Sequence, residues 1–79
     1  MIDTGSLVKA WRIRRGLSQT QLAERAGTGQ AAISRIESSR DLPTLALLNR
    51  IASALDCDLK IDFTSSYSAA RRGRRSEGG

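Results

Sequence analysis

Residues 18–38, SQTQLAERAGTGQAAISRIES, allow few folds. Ser18 and Gln21 stand at the spacing of a capping box, in which the serine oxygen accepts the backbone N–H three residues on and the glutamine reaches back. A helix over about Gln19–Ala26 follows. Gly27 then stops it where the chain must turn sharply at positive φ, a conformation that costs glycine nothing sterically. Thr28 is the expected cap of the next helix, about Gly29 to Ser38, which carries Ala32, Ile33 and Ile36 inward and Gln30, Ala31, Ser34 and Arg35 outward. Ala23 falls where the two helices cross, and so small a residue lets their backbones approach at the 90–120° angle of a tightly turned helix pair.

The rest of the chain supplies what such a pair packs against. A first helix over roughly Gly5–Arg15 places Leu7, Val8 and Trp11 on one face, which reads as core, and Gly16 ends it. Arg40, Asp41 and Leu42 lead to Pro43, after which Thr44 caps a fourth helix. Its Leu45, Leu48, Ile51, Ala52 and Leu55 recur at three- and four-residue spacing, the stripe of a helix closing a core. Beyond Asp56 the period falls to two, with Leu59, Ile61 and Phe63 alternating with Lys60 and Asp62, the pattern of a short amphipathic strand. The fold class expected is mainly α, four helices plus a short C-terminal β-strand, in one domain over residues 1–64. Residues 65–79, SSYSAARRGRRSEGG, hold one aromatic and are expected to form a disordered basic tail, since so little apolar surface cannot offset the entropy of ordering.

Charge points to a polyanionic partner. The chain carries 13 Lys and Arg against 8 Asp and Glu, a formal +5. Residues 1–64 hold nine basic and seven acidic side chains, +2, and residues 65–79 hold Arg71, Arg72, Arg74 and Arg75 against one Glu, +3. Much of the basicity therefore sits in the tail. With no histidine and a single cysteine, Cys57, neither a Cys/His zinc site nor an intramolecular disulfide can be assembled, and Cys57 reads as a small hydrophobe at a helix end. No cofactor and no metal are expected. The absence of histidine, of a nucleophile–base arrangement and of a phosphate-binding glycine loop argues against an enzyme. The N-terminal MIDTGSLVKAW has no signal-peptide pattern and no apolar run reaches membrane-spanning length, so a cytoplasmic protein without a membrane partner is expected.

Three stretches, GLSQTQLAERAG, QAAISRIESS and LPTLALLNRIASALDCDL, together resemble the Cro/Xre-type repressor helix-turn-helix family over about residues 7–60. The resemblance implies a lambda-repressor-like DNA-binding domain whose third helix lies in the major groove, where all four base pairs are distinguishable. It places Gln30 at a base-reading position in the first turn, with an amide suited to adenine N6 and N7. Arg35 faces the groove, where its fork grips guanine or a phosphate. Ala31 meets a thymine methyl and Ser34 completes the groove-facing edge, so DNA shape supplies part of the readout. Gln19, assisted by Ser18, contacts a backbone phosphate. Thr28-Gly29 departs from the longer polar residues usual there, which leaves a backbone amide as the phosphate donor. Arg12 and Glu37 match the positions of a structural ion pair.

A single strand leaves its backbone N–H and C=O groups unpartnered, so the second strand is expected from another copy of the chain, with Leu59, Ile61 and Phe63 as the dimerisation residues. Helices followed by a terminal strand resemble the antitoxin subgroup of the family. The function expected is thus a dimeric transcriptional autorepressor on double-stranded operator DNA, with a cognate toxin protein as a further partner. The alternative is a protein-interaction adaptor on the same fold with little DNA specificity.

Overall fold

The computed structural model describes residues 3–62, which form four helices: α1 Thr4–Arg14, α2 Gln19–Ala26, α3 Gln30–Glu37 and α4 Leu45–Ala54. α1 starts one residue before the Gly5 expected, because Asp3 caps it: its carboxylate accepts the Ser6 N–H at 2.7 Å. The Ser18–Gln21 capping box is formed in both directions, at 3.0 and 2.8 Å. Leu17 and Leu22, immediately before the cap and at the fourth helical position, both enter the core as a hydrophobic staple does.

Each helix ends by the same hydrogen-bonded device. At the end of α2 the Gly27 N–H donates to the Glu24 carbonyl at 3.3 Å and the Thr28 N–H to the Ala23 carbonyl at 2.9 Å, with Gly27 at φ 72°. Thr28 is consumed in closing α2, so it does not cap α3 as expected; Gly29 takes that position and gives no side-chain cap. The ends of α1 (Gly16, φ 71°), α3 (Ser39, φ 63°) and α4 (Asp56, φ 55°) repeat the pattern, the last two without glycine.

α2 packs against α3 and α4, and α1 against α3. Leu22, Ile33 and Ile51 are fully buried at the centre, with Val8, Leu17, Ala23, Ala26, Ile36 and Leu55 around them and Trp11, Leu47, Leu48, Ala54 and Cys57 against the rim. Ala23 is buried where α2 meets α3, the place expected for a small residue. Two residues depart from the inward stripes. Leu45, the first residue of α4, is 65% exposed because the first turn projects beyond the core, and Leu47 packs instead; Leu7 is 47% exposed at the edge of an apolar groove between α1 and α4. Gly5 marks a close backbone approach: a Cβ there would lie 2.3 Å from the Ile36 carbonyl oxygen, so α1 can rest on the end of α3 only with glycine at this position.

Three arginines tie the helix ends to their neighbours. Arg12 Nη1 donates to the Leu17 carbonyl, Arg15 Nε to that of Leu55 and Arg50 Nε to that of Ala26, at 2.8–2.9 Å. The last two place a cation at the C-termini of α4 and α2, where the helix dipole is negative. Arg14 and Arg15 also lie over the Trp11 ring, at 4.8 and 5.0 Å from its centre.

The strand expected at Leu59–Phe63 is not formed in the single chain. Leu59 to Asp62 carry no regular secondary structure, since an isolated amphipathic segment has no second strand to bond with, and Phe63 lies outside the described residues, as does the tail expected from residue 65. Leu59 lines the α1–α4 groove, and Ile61 is 56% exposed. Among the described residues, no helix is long and apolar enough to cross a membrane.

Candidate nucleic-acid interface

α3 is positioned by Ile33 and Ile36, which point into the core three residues apart and turn the remaining positions outward. On that outer surface Gln30, Ala31 and Arg35 are exposed and Ser34 is half-buried. Ala32, expected inward, is half-buried at the margin, because Ile33 already occupies the centre of the buried face. Ser18 and Gly29 are exposed and Thr28 half-buried, so the starts of α2 and α3 both reach the surface.

Hydrogen bonds join these two starts and run back into the core. Glu37, at the end of α3, is buried; its Oε2 accepts Arg12 Nε at 2.6 Å and its Oε1 accepts Arg12 Nη2 at 3.0 Å, with side chains 13% (Arg12) and 3% (Glu37) exposed. The two parallel bonds hold the guanidinium firmly in its charged form, raising its pKa against the opposing effect of burial. Glu37 Oε1 also accepts Gln19 Nε2 at 3.1 Å, and Gln19 Oε1 in turn accepts Gln30 Nε2 at 2.7 Å. The carboxylate can only accept, so it sets the polarity of the row: Gln19 presents its amide N–H₂ to Glu37 and its oxygen to Gln30. Gln30 is thereby held by its nitrogen, and its Oε1 and second N–H are directed to whatever lies beyond α3.

Arg12, Glu37, Gln19 and Gln30 are therefore brought into one connected set. The side chain of Gln19, expected on a phosphate, is engaged at both ends, so it acts as a strut between the ion pair and Gln30 while its backbone N–H, in the first turn of α2, lies ahead of the first intrahelical bond, Leu22 N–H to Ser18 O. α3 begins alike, its first bonds running from Ala32 and Ile33 to the Gly29 carbonyl. Two helix N-termini without carboxylate caps, joined by Gln19–Gln30, form an anion-attracting edge beside the outer surface of α3.

Arg35 stands apart from this set. Its Nε donates to Asp41 Oδ2 at 2.6 Å, a partner that a run of loop residues before Pro43 does not betray in the sequence. Equally hidden are the capping roles of Arg15 and Arg50, which depend on helices forty and twenty-four residues away along the chain. The Asp3 cap, by contrast, has a signal: an acidic residue three positions before a serine at a helix start.

Residues 8–61 match the helix-turn-helix family. The ImmF control region 10 kDa protein of Bacillus phage phi105 is 37% identical over 57 residues, 72% of this chain and 63% of that protein, so the chain spans a little under two thirds of that relative. An uncharacterized HTH-type transcriptional regulator of Methanothermobacter thermautotrophicus is 42% identical over 50 residues, 63% of this chain and 72% of that one. Among solved structures, the P22 c2 repressor in complex with a synthetic operator superposes with a TM-score of 0.70 at 28% identity, covering 73% of this chain and 88% of the other. A mutant of the restriction-modification controller protein C.Esp1396I superposes at 0.68 and 27% identity, covering 70% and 71%.

Proposed function

The chain belongs to the Cro/Xre-type helix-turn-helix family of DNA-binding regulators, and from that premise we propose that it is a repressor that binds operator DNA as a homodimer. The observation that carries the reading is the connected row from the buried Arg12–Glu37 pair through Gln19 to the exposed Gln30. A long flexible amide at a protein surface normally loses rotamer entropy when it binds; here it is held before the ligand arrives. Gln30 then offers an oxygen and an N–H to the N6 and N7 positions of adenine in the major groove. Ala31 lies beside it for a thymine methyl, Ser34 and Arg35 extend the reading face, and Gln19 and Gly29 bring their backbone N–H groups, and Ser18 and Thr28 their hydroxyls, to the phosphates.

Arg12 is paired with the buried Glu37, and Arg15 and Arg50 are anchored by Nε on backbone carbonyls, so part of the basic side-chain set of residues 1–64 is committed to holding the domain together. Phosphate attraction falls to the helix N-termini, the remaining surface cations and the four arginines of the basic tail. Dimerisation is assigned to Leu59, Ile61 and Phe63, paired with the same residues of a second copy. The groove between α1 and α4, about 170 Å³ and lined by Leu7, Trp11, Leu48, Leu55 and Leu59 among others, supports an apolar cover there. A cognate toxin completes the reading of the chain as an antitoxin; pull-down of the product of the neighbouring gene tests that part.

Selection of the full chain on a randomised duplex identifies its site, after which variants are titrated on matched and singly altered duplexes. Gln30→Ala is expected to lose about 1–3 kcal/mol of discrimination at one base pair. Gln19→Ala should weaken all duplexes and relax the same base pair, because the strut is gone. Equal affinity for selected and random duplexes would remove the regulator reading in favour of a protein-binding adaptor.

A further inference from the structure

Arg35 and Asp41 are the second ion pair among the described residues, and unlike the first it lies in the open, with side chains 49% and 52% exposed. Exposed pairs contribute little to stability, yet this one is held from several sides. The Arg35 carbonyl accepts the N–H groups of Arg40 at 2.8 Å and Asp41 at 3.3 Å, and the Ser38 hydroxyl lies 2.9 Å from the Ser34 carbonyl and 3.2 Å from that of Arg35, so residues 38–41 fold back around the last turn of α3. Ser39 takes the left-handed conformation that makes this return possible. The backbone thereby brings Asp41 beside the end of α3, within reach of the Arg35 side chain. The Asp41 carboxylate engages Nε, one of five N–H donors, and does not occupy the end-on pair of terminal nitrogens. With Nε engaged, that end-on pair is the bidentate edge left to meet the O6 and N7 acceptors of guanine.

We propose that Asp41 is a positioning residue for DNA reading: it holds Arg35 by Nε with its terminal fork presented outward, and cancels its charge so that the fork discriminates a guanine and does not seek the nearest phosphate. The proposal rests on the reading of α3 as the groove-facing helix. An unpaired arginine at this place would sweep a wide arc and find phosphates on either side of the groove; a paired one is committed to a single direction, at the cost of a carboxylate close to the DNA. The expected consequence is weaker binding to DNA in general and sharper choice among sequences.

The test compares the full-length wild type with Asp41→Asn, Asp41→Glu, Arg35→Ala and the Arg35→Ala/Asp41→Asn double variant. Each is selected on a duplex with a randomised centre and then titrated on the enriched and singly altered duplexes at several salt concentrations. Asp41→Asn should bind random duplex more tightly, with a log–log salt slope steeper by up to about 1. It should lower preference roughly three- to tenfold at the one base pair whose preference Arg35→Ala abolishes. Asp41→Glu should recover part of that preference, and Asp41→Asn should add nothing once Arg35 is gone. If Arg35→Ala leaves every position of the selected site unchanged, Arg35 does not read a base and the reading of this part of α3 fails together with the proposal. If Arg35→Ala removes one position but Asp41→Asn leaves that position intact, or raises affinity equally on all duplexes, the reading stands and the positioning role of Asp41 is overturned. A loss spread over the positions read by Gln30 as well would mean that Asp41 only maintains the end of α3, and would equally overturn it.

Discussion

At the scale of single residues, Glu37 has the most partners that matter. Its two oxygens accept three donors from Arg12 and Gln19, and only 3% of its side chain is exposed. Removing its charge leaves the Arg12 guanidinium desolvated without a counter-ion, which costs about 3–5 kcal/mol. In a domain this small that is an expected fall in the thermal midpoint on the order of 10–40 °C for Glu37→Gln, read by circular dichroism at neutral pH. Joint replacement by Arg12→Met and Glu37→Leu should restore much of the loss, since an apolar pair of similar volume needs no desolvation. A Glu37→Gln midpoint within a couple of degrees of wild type would mean that water relieves the pair. Function should separate from stability here: the apolar double variant keeps the fold yet leaves Gln19 without its acceptor, so Gln30 loses its fixed polarity.

At the scale of helices, the ends decide more than the middles. α3 closes through Ser39 and α4 through Asp56 at positive φ, where a side chain bearing Cβ is strained and glycine is not. Ser39→Gly gives up only a 3.3 Å hydroxyl contact to Asp3 and should gain about 0.5–1 kcal/mol, a rise of a few degrees in midpoint; an unchanged or lower midpoint would show that the αL strain is already relieved by the loop. The start of α1 makes a prediction in pH. The Ser6 N–H and hydroxyl and the Ser39 hydroxyl hold the Asp3 carboxyl below its ordinary value of 3.8, the backbone bond first among them. A lowered carboxylate pKa contributes stability that is complete above the unfolded value and is lost as pH falls through the folded one. The first turn of α1 should therefore stay closed at pH 5 and begin to loosen only as pH falls below 3.8, seen as faster exchange of the Ser6 amide, with Asp3→Asn much less responsive over the same window.

At the scale of the whole molecule, the proposed homodimer makes use of apolar groups that the single domain leaves exposed. Leu7 and Ile61 are exposed and Leu59 edges the groove between α1 and α4. Two-fold pairing of residues 59–63 would bond their backbones and set the two third helices about 34 Å apart, so the selected DNA site should be a pseudo-palindrome with half-sites one helical turn apart or a multiple of it. Ile61→Pro removes a backbone donor from the middle of that pairing and should yield monomers by analytical ultracentrifugation with the helical circular-dichroism signal retained. Wild-type chains that stay monomeric at tens of micromolar, or a proline variant that still dimerises, would move the interface to helix surfaces.

Much of this architecture was readable from local pattern. Capping box, Gly27, the Pro43–Thr44 start and the three- and four-residue apolar spacing mark the four helices because each depends on residues within one or two turns of one another. The outward set Gln30, Ala31, Ser34 and Arg35 followed from the same periodicity, and the Arg12–Glu37 pairing from the family resemblance. What required the tertiary structure is whatever joins residues distant along the chain. That Gln19 spans from Glu37 to Gln30, that Arg50 closes α2 and Arg15 closes α4, and that only glycine fits at residue 5 beneath the end of α3 all depend on how the helices are set against one another. The sequence by itself determined, to within about a residue, where helices begin and end, since the backbone hydrogen bonds and most caps are satisfied locally. Only the packed fold decided which polar side chains face one another, because a long arginine or glutamine has many rotamers and the burial of its neighbours selects one.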